Sequence, residues 1–210
     1  MDSMELIALL AALGVGFGLG RCRRRALENQ GEAAVRRALT KHFTGTSYHL
    51  LNTLTLPFDG GTTQIDHALV SKRGIFVIES KHYRGWIFAN ATSPTWTQVI
   101  FQHQYTFQNP LRQNYKHIKA IQQLLGFLPR ESMHSLVAFT GDAKFNTERP
   151  QGVFAVTGLV QHIKQCTGEI LTENRLQFCV GRLECQRTLT SGQTDVEHQA
   201  YLTRKFGNAT

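Results

Sequence analysis

Apolar and polar positions are distributed very unevenly along this chain. From Leu6 to Gly20 every residue is apolar or glycine, and counted from Met4 the stretch reaches 17 residues with Glu5 as its interruption. A membrane-crossing helix needs about 17–25 residues, so residues 4–20 are expected to form a single spanning anchor at the short limit. Arg21, Arg23, Arg24 and Arg25 follow at once, whereas only Asp2 and Glu5 precede the run. A cleaved signal peptide carries its positive charge ahead of the apolar stretch, and here the order is reversed. The excess of arginine after the run places the N-terminus outside and everything beyond Arg25 in the cytoplasm. Gly14, Gly16, Gly18 and Gly20 form overlapping small-xxx-small pairs, a spacing that lets two such helices approach closely and would support a homodimer.

Past the anchor the pattern changes to that of a globular domain. Val35, Leu39 and Phe43 recur at helical spacing, so Asn29–Phe43 is expected to be a helix. Tyr48–Leu56 is aromatic, aliphatic and Thr-rich and is expected to be a strand ended by Pro57. Asp59-Gly60-Gly61 marks a turn, and Thr63–Val70 and Ile75–Ser80 read as a hairpin joined at Ser71-Lys72-Arg73-Gly74. His82–Thr97 reads as irregular or short β. Pro110–Leu125 is expected to be a helix with Pro110 in its first turn and Leu111, Tyr115, Ile118, Ile121, Leu124 and Leu125 on one face. Leu136–Thr140 and Val153–Val156 read as short strands, Leu159–Cys166 and Glu169–Cys185 as helices. This order predicts one α/β domain with a mixed sheet flanked by helices. The expected division is an anchor and basic stop over 1–25, a core over 26–130, its C-terminal completion over 131–188, and a polar tail over 189–210.

Composition agrees with a folded chain: 210 residues, 41% hydrophobic and 18% charged, which excludes a disordered or collagen-like protein. The formal charge is +8. Setting aside the four arginines and two acids of the first 25 residues leaves 19 basic and 13 acidic residues, a net +6 on the remainder. The domain itself is therefore cationic, as a binder of polyanions would be. Cys22, Cys166, Cys179 and Cys185 form no CxxC pair, and none of the nine histidines joins a metal-binding pair, so free thiols are expected.

The chemistry concentrates in the hairpin. Alternation along a strand puts Glu79 and Lys81 on one side and, on the partner strand, Gln64 and Asp66 on one side. Folding the hairpin can bring Asp66 beside Glu79. Paired carboxylates make a hard oxygen site for Mg²⁺ or Mn²⁺, and an adjacent lysine can stabilise the charge that develops on a phosphate. A lone E-x-K is most often a surface pair, so this pattern alone decides little.

The surrounding motifs decide more. Gly31-Glu32, then Gly61-Thr62-Thr63-Gln64-Ile65-Asp66-His67, then Gly74-Ile75-Phe76-Val77-Ile78-Glu79-Ser80-Lys81, then Gly85, Trp96 and Asn109-Pro110-Leu111-x-Gln113-Asn114 occur in this order. Over Gly31–Leu125 the chain resembles the nuclease-related domain (NERD) family, a branch of the PD-(D/E)xK restriction-endonuclease-like fold. The resemblance implies a metal-dependent nuclease core in which Asp66 and Glu79 are metal ligands, Lys81 is the catalytic lysine, and Glu32 completes the metal site. Ser80 stands where many members carry a small aliphatic residue.

Around this set, Gln64 is a candidate to touch phosphate or metal-bound water. Asn109, Arg112, Gln113 and Lys116 on the following helix are candidate contacts to nucleic acid, with DNA ahead of RNA, as are Asn114 and Lys119. Capping and solvation are the alternative roles for these residues. Trp86, Trp96 and Tyr83 are either base-stacking or packing residues. His67 and His82 have the opposite parity to the acidic set and are expected to be structural. No small-molecule cofactor is expected. Three functions compete: a membrane-anchored nuclease, a tethered non-catalytic nucleic-acid-binding module, and a membrane scaffold.

Overall fold

A computed structural model of the protein describes residues 30–190, with side chains through residue 187. The apolar run, its arginines, Cys22 and the polar tail lie outside the described residues. Among the described residues no helix is long and apolar enough to cross a membrane.

The chain enters on helix α1 (30–42). Strands β1 (Tyr48–Phe58), β2 (Gly61–Ser71) and β3 (Gly74–His82) follow as an antiparallel meander. Strand β1 runs through Pro57 instead of stopping there, with Pro57 opposite Thr62. This is tolerated because β1 is an edge strand, where a missing N–H costs no ladder bond. Helix α2 (Pro110–Leu124), strands β7 (Met133–Thr140) and β9 (Val153–Ala155), and helices α3 (Val156–Gln165) and α4 (Glu173–Thr190) complete the main body. The five-stranded sheet has the order β1-β2-β3-β7-β9, with β3, β7 and β9 parallel. Segments on both sides of residue 130 thus share one sheet.

The region that reads as irregular in sequence is a second sheet. Strands β4 (Gly85–Phe88), β5 (Thr95–Ile100), β6 (His103–Gln108) and β8 (Ala143–Phe145) assemble in the order β6-β5-β4-β8. Its strands are short, and β4 finds its partner β8 more than fifty residues away. The pairings of β4 with β5 and β5 with β6 are local, but strands of four to six residues are too short to show a clear period.

Each face of the main sheet is covered. Ile75 and Val77 pack toward α2 and α4 with Ile118, Ile121, Leu176 and Leu183. Phe76 and Ile78 pack toward α1 and α3 with Val35, Leu39, Leu159 and Ile163. A strand buried on both faces shows an unbroken apolar run, which is why Ile75–Ile78 does not alternate. A third cluster joins the sheets through Ile87, Trp96, Val137 and Phe139. Helix α1 is pulled close to the end of β3 at Gly31, where a Cβ would lie 2.8 Å from His82 Cβ and 2.9 Å from Thr140 Oγ1.

Alternation fails at one place. Leu51 and Leu54 face the same cluster, as do Ile65 and Ala68 across the ladder. Register continues through the break, with Asn52 opposite His67 and Leu54 opposite Ile65. Between them Thr53 adopts a left-handed φ of 52°. A β-branched residue rarely takes this conformation, and beside it the facing of both strands switches, at Thr53 and at Asp66. Thr53 is exposed. Thr53→Gly is expected to relieve the strain and stabilise the domain by about 0.5–1 kcal/mol after the added chain entropy of glycine; urea denaturation would measure it, and destabilisation would contradict it.

Candidate active site

The switch in facing governs which side chains meet. Glu79 is carried past the last pair of the β2–β3 ladder and is 2% exposed. Its Oε1 accepts a hydrogen bond from Lys81 Nζ at 2.6 Å. Lys81 Nζ also donates to Gln113 Oε1 at 3.1 Å. The other oxygen, Glu79 Oε2, lies 3.0 Å from His117 Nε2, and His117 Nδ1 lies 2.9 Å from Thr63 Oγ1. Asp66 stands at the mouth of the hairpin, where its Oδ2 accepts from the Ser80 backbone N–H at 2.7 Å. That bond replaces a ladder contact and holds Asp66 against the segment bearing Glu79 and Lys81. Glu32, in the first turn of α1, is close enough to act electrostatically on Asp66.

Ionisation follows from these contacts. Burial pushes the Asp66 carboxyl well above the usual range, and the charges of Glu79 and Glu32 push it further. Burial acts the same way on Glu79, but Lys81 and His117 together outweigh it and hold that carboxyl below its ordinary value. Burial also opposes the Lys81 charge, yet the Glu79 partner keeps the ammonium more strongly protonated than an ordinary lysine. Glu79 and Lys81 are therefore an ion pair, and Asp66 is the group with surplus negative neighbours.

Does this set fit a divalent cation? Among the described residues, no three His, Cys, Asp or Glu side chains gather at ligating distance. Mg²⁺ does not require three, since it is commonly held by one or two carboxylates together with water and substrate phosphate. The excess of carboxylate over lysine is what a hard cation would neutralise, and Asp66 with Glu79 fits it. Asp66→Asn is accordingly expected to raise the thermal midpoint of the metal-free protein. The sign follows from the raised pKa: the folded site favours the protonated carboxyl more than the unfolded chain does, so ionising Asp66 opposes folding. Added Mg²⁺ should stabilise the wild type and leave the variant unmoved. An equal shift in both would contradict the assignment.

Several residues stand elsewhere than alternation placed them. Gln64 does not share the face of Asp66. Thr63 and Ile65 point toward α2, so Gln64 points away and is exposed, because the strand turns over at Asp66. Asn109 is fully buried and cannot reach a nucleic acid. Its Oδ1 caps α2 by accepting from the Leu111 N–H at 2.9 Å, and its Nδ2 donates to the carbonyls of Ser93, Ala91 and Asn90. Asn114 is buried as well, its Nδ2 bridging the carbonyls of Val77 and Leu136 where β3 meets β7. Gln113 is turned inward to Lys81. Arg112 and Lys116 lie on the solvent side of α2. Tyr115 is exposed beside Arg130 and Lys119 instead of lining the core.

His67 is buried, bonded to Asn52 Oδ1 at 2.7 Å, and burial together with Arg36 brings its pKa down to about 4. His82 bonds Thr140 Oγ1. Trp96 is buried, and Tyr83 packs on Phe107 and Phe139. Cys166, Cys179 and Cys185 are free.

His117 and Thr63 are the members that sequence reasoning missed. The available signal was weak: Gln113 and His117 stand four apart, a spacing that aligns them on one side of α2. A polar stripe beside an apolar one reads first as a helix boundary with solvent.

The model of the nuclease-related domain matches residues 27–140. An uncharacterized protein of Bacillus anthracis is 35% identical over 179 residues, covering 84% of this chain and 84% of the relative. No solved structure matches the chain.

Proposed function

Since the chain belongs to the nuclease-related domain family, within the restriction-endonuclease-like superfamily, we propose that it is a membrane-anchored, divalent-metal-dependent nuclease that hydrolyses phosphodiester bonds of DNA or, less favoured, RNA. The observation that carries this reading is the buried Glu79–Lys81 ion pair with Asp66 held beside it through the Ser80 amide. A buried ion pair of this kind is weak evidence for stability and better explained by chemistry. Asp66 and Glu79 are the residues to hold Mg²⁺ or Mn²⁺, with Glu32 close by. When bound, the cation supplies positive charge to the scissile phosphate and acidity to a water. Lys81 keeps its proton throughout and places an ammonium against the charge that develops on the phosphate oxygens as water adds and the P–O bond breaks. Gln113 and Glu79 fix the direction of that ammonium. His117 fixes the Glu79 carboxylate, much as outer groups orient the ligands of other metal sites. Arg112 and Lys116 are placed to follow phosphates on the solvent face. Residues 4–20 would tether the domain to the membrane from the cytoplasmic side, and their glycines could pair two chains.

A second reading, a non-catalytic nucleic-acid-binding module, draws on one observation: both Glu79 oxygens already have partners in Lys81 and His117. The experiment is cleavage by the full chain in detergent, with labelled single- and double-stranded DNA and RNA, across Mg²⁺, Mn²⁺ and chelator. Cleavage that requires metal supports the nuclease. Salt-dependent binding without cleavage, indifferent to metal, supports the module.

A further inference from the structure

Strand β4 of the second sheet shows two aromatic side chains to solvent. Trp86 is 47% exposed and Phe88 38%, while Ile87 between them is buried. Alternation therefore puts both rings on the outer face of the sheet, opposite the face that packs Ile87 and Trp96 into the core. The register continues that outer face: Trp86 lies opposite Val99 on one side and Lys144 on the other, and Phe88 lies opposite Thr97. Lys144 Nζ sits 5.9 Å from the centre of the Trp86 ring.

Two aromatic rings side by side in water are a cost unless something covers them. Charge narrows what that is. Strands β4, β5, β6 and β8 contain no aspartate or glutamate. The exposed Arg84 stands immediately before β4, and the acids Asp142 and Glu148 stay in the flanking loops. An acid-free face with two exposed rings and a lysine at its edge suits a ligand having π faces and negative charge. Spacing narrows it again. Residues two apart on a strand are about 6.6 Å apart, roughly twice the 3.4 Å rise between stacked bases of a duplex. Stacked duplex bases offer no free faces at that separation, whereas an extended single strand offers one base to each ring. Strand β4 also begins three residues after β3 ends at His82, so this face is tied closely to the strand bearing Glu79 and Lys81.

We propose that the outer face of the second sheet is a platform for single-stranded nucleic acid, with Trp86 and Phe88 each stacking on a base and Lys144 meeting the phosphate backbone. This rests on the reading of the protein as one that acts on nucleic acid and assigns that site a single-stranded substrate. Base-on-aromatic stacking tolerates every base, so little sequence preference is expected.

The test needs no turnover. The chain has two tryptophans, and Trp96 is buried. Titrating the full chain in detergent and chelator with short oligothymidylate should quench the Trp86 emission. Anisotropy of a labelled oligonucleotide should show Trp86→Ala and Phe88→Ala each weakening binding about tenfold, and Trp86→Phe restoring most of it. Both positions are exposed, and unchanged thermal midpoints would exclude misfolding. The inference is overturned by binding that is indifferent to both substitutions, by duplex bound as tightly as single strands, or by quenching with anionic lipid vesicles and not with oligonucleotide. Quenching without any metal-dependent cleavage would overturn the catalytic reading and leave this one standing.

Discussion

Lys81→Ala is expected to reduce metal-dependent cleavage by roughly 10²–10³-fold, the usual cost of removing one group that stabilises developing charge. It should also destabilise the domain, because it leaves the buried Glu79 carboxylate without its charged partner, with only His117 still bonded to it. Breaking a buried pair costs about 3–5 kcal/mol, and since Lys81 retains 19% side-chain exposure, roughly 2–4 kcal/mol is the expectation here. Loss of activity in this variant could therefore reflect loss of fold. The double variant Glu79→Gln/Lys81→Met separates the two effects. It removes both charges at similar volume, and such neutral replacements are often tolerated. Its urea midpoint should return most of the way to wild type while cleavage stays absent. Cleavage surviving in the folded double variant would remove the ion pair from the chemistry.

Asn109→Ala should be the most destabilising of the polar substitutions on α2. It removes the helix cap, worth about 1 kcal/mol, and leaves the carbonyls of Ser93 and Ala91 without their side-chain donor, worth a further 1–3 kcal/mol or so. A total of about 2–4 kcal/mol is expected by denaturant titration, and Asn109→Asp should be no milder, because it keeps the cap but sets a buried carboxylate against those carbonyl oxygens. Oligonucleotide affinity of the protein that remains folded should be unchanged. A stable variant with weakened binding would return Asn109 to the nucleic-acid surface.

These two residues mark where reading the chain succeeds and where it stops. Motifs of short range were legible. The apolar run over Ile75–Ile78 ended by Glu79-Ser80-Lys81 identified a buried strand with a charged terminus, because burial on two faces leaves a local signature. The start of α2 at Pro110 was legible from the chemistry of helix N-termini. Asn109 was legible as a polar residue at that boundary, but its burial was not. Its partners Ser93 to Asn90 approach only once β5 and β6 have folded over the connection.

What the sequence by itself determined is the α/β character, the central hairpin and the helices, consequences of periodicity and neighbours within about twenty residues; the nearness of Asp66 to Glu79 it offered only as something the folded hairpin can bring about. What the tertiary structure alone decided is the second sheet, the inward turn of Gln113, the His117–Thr63 support beneath Glu79, and the outward turn of Gln64. Gln113 and the His117–Thr63 support depend on contacts across long separations, the second sheet on strands too short to show a period, and Gln64 on the change of facing beside the left-handed Thr53 in the neighbouring strand. Strict alternation holds only while the backbone stays in the β region, and a single φ of opposite sign hands the next residue to the other face.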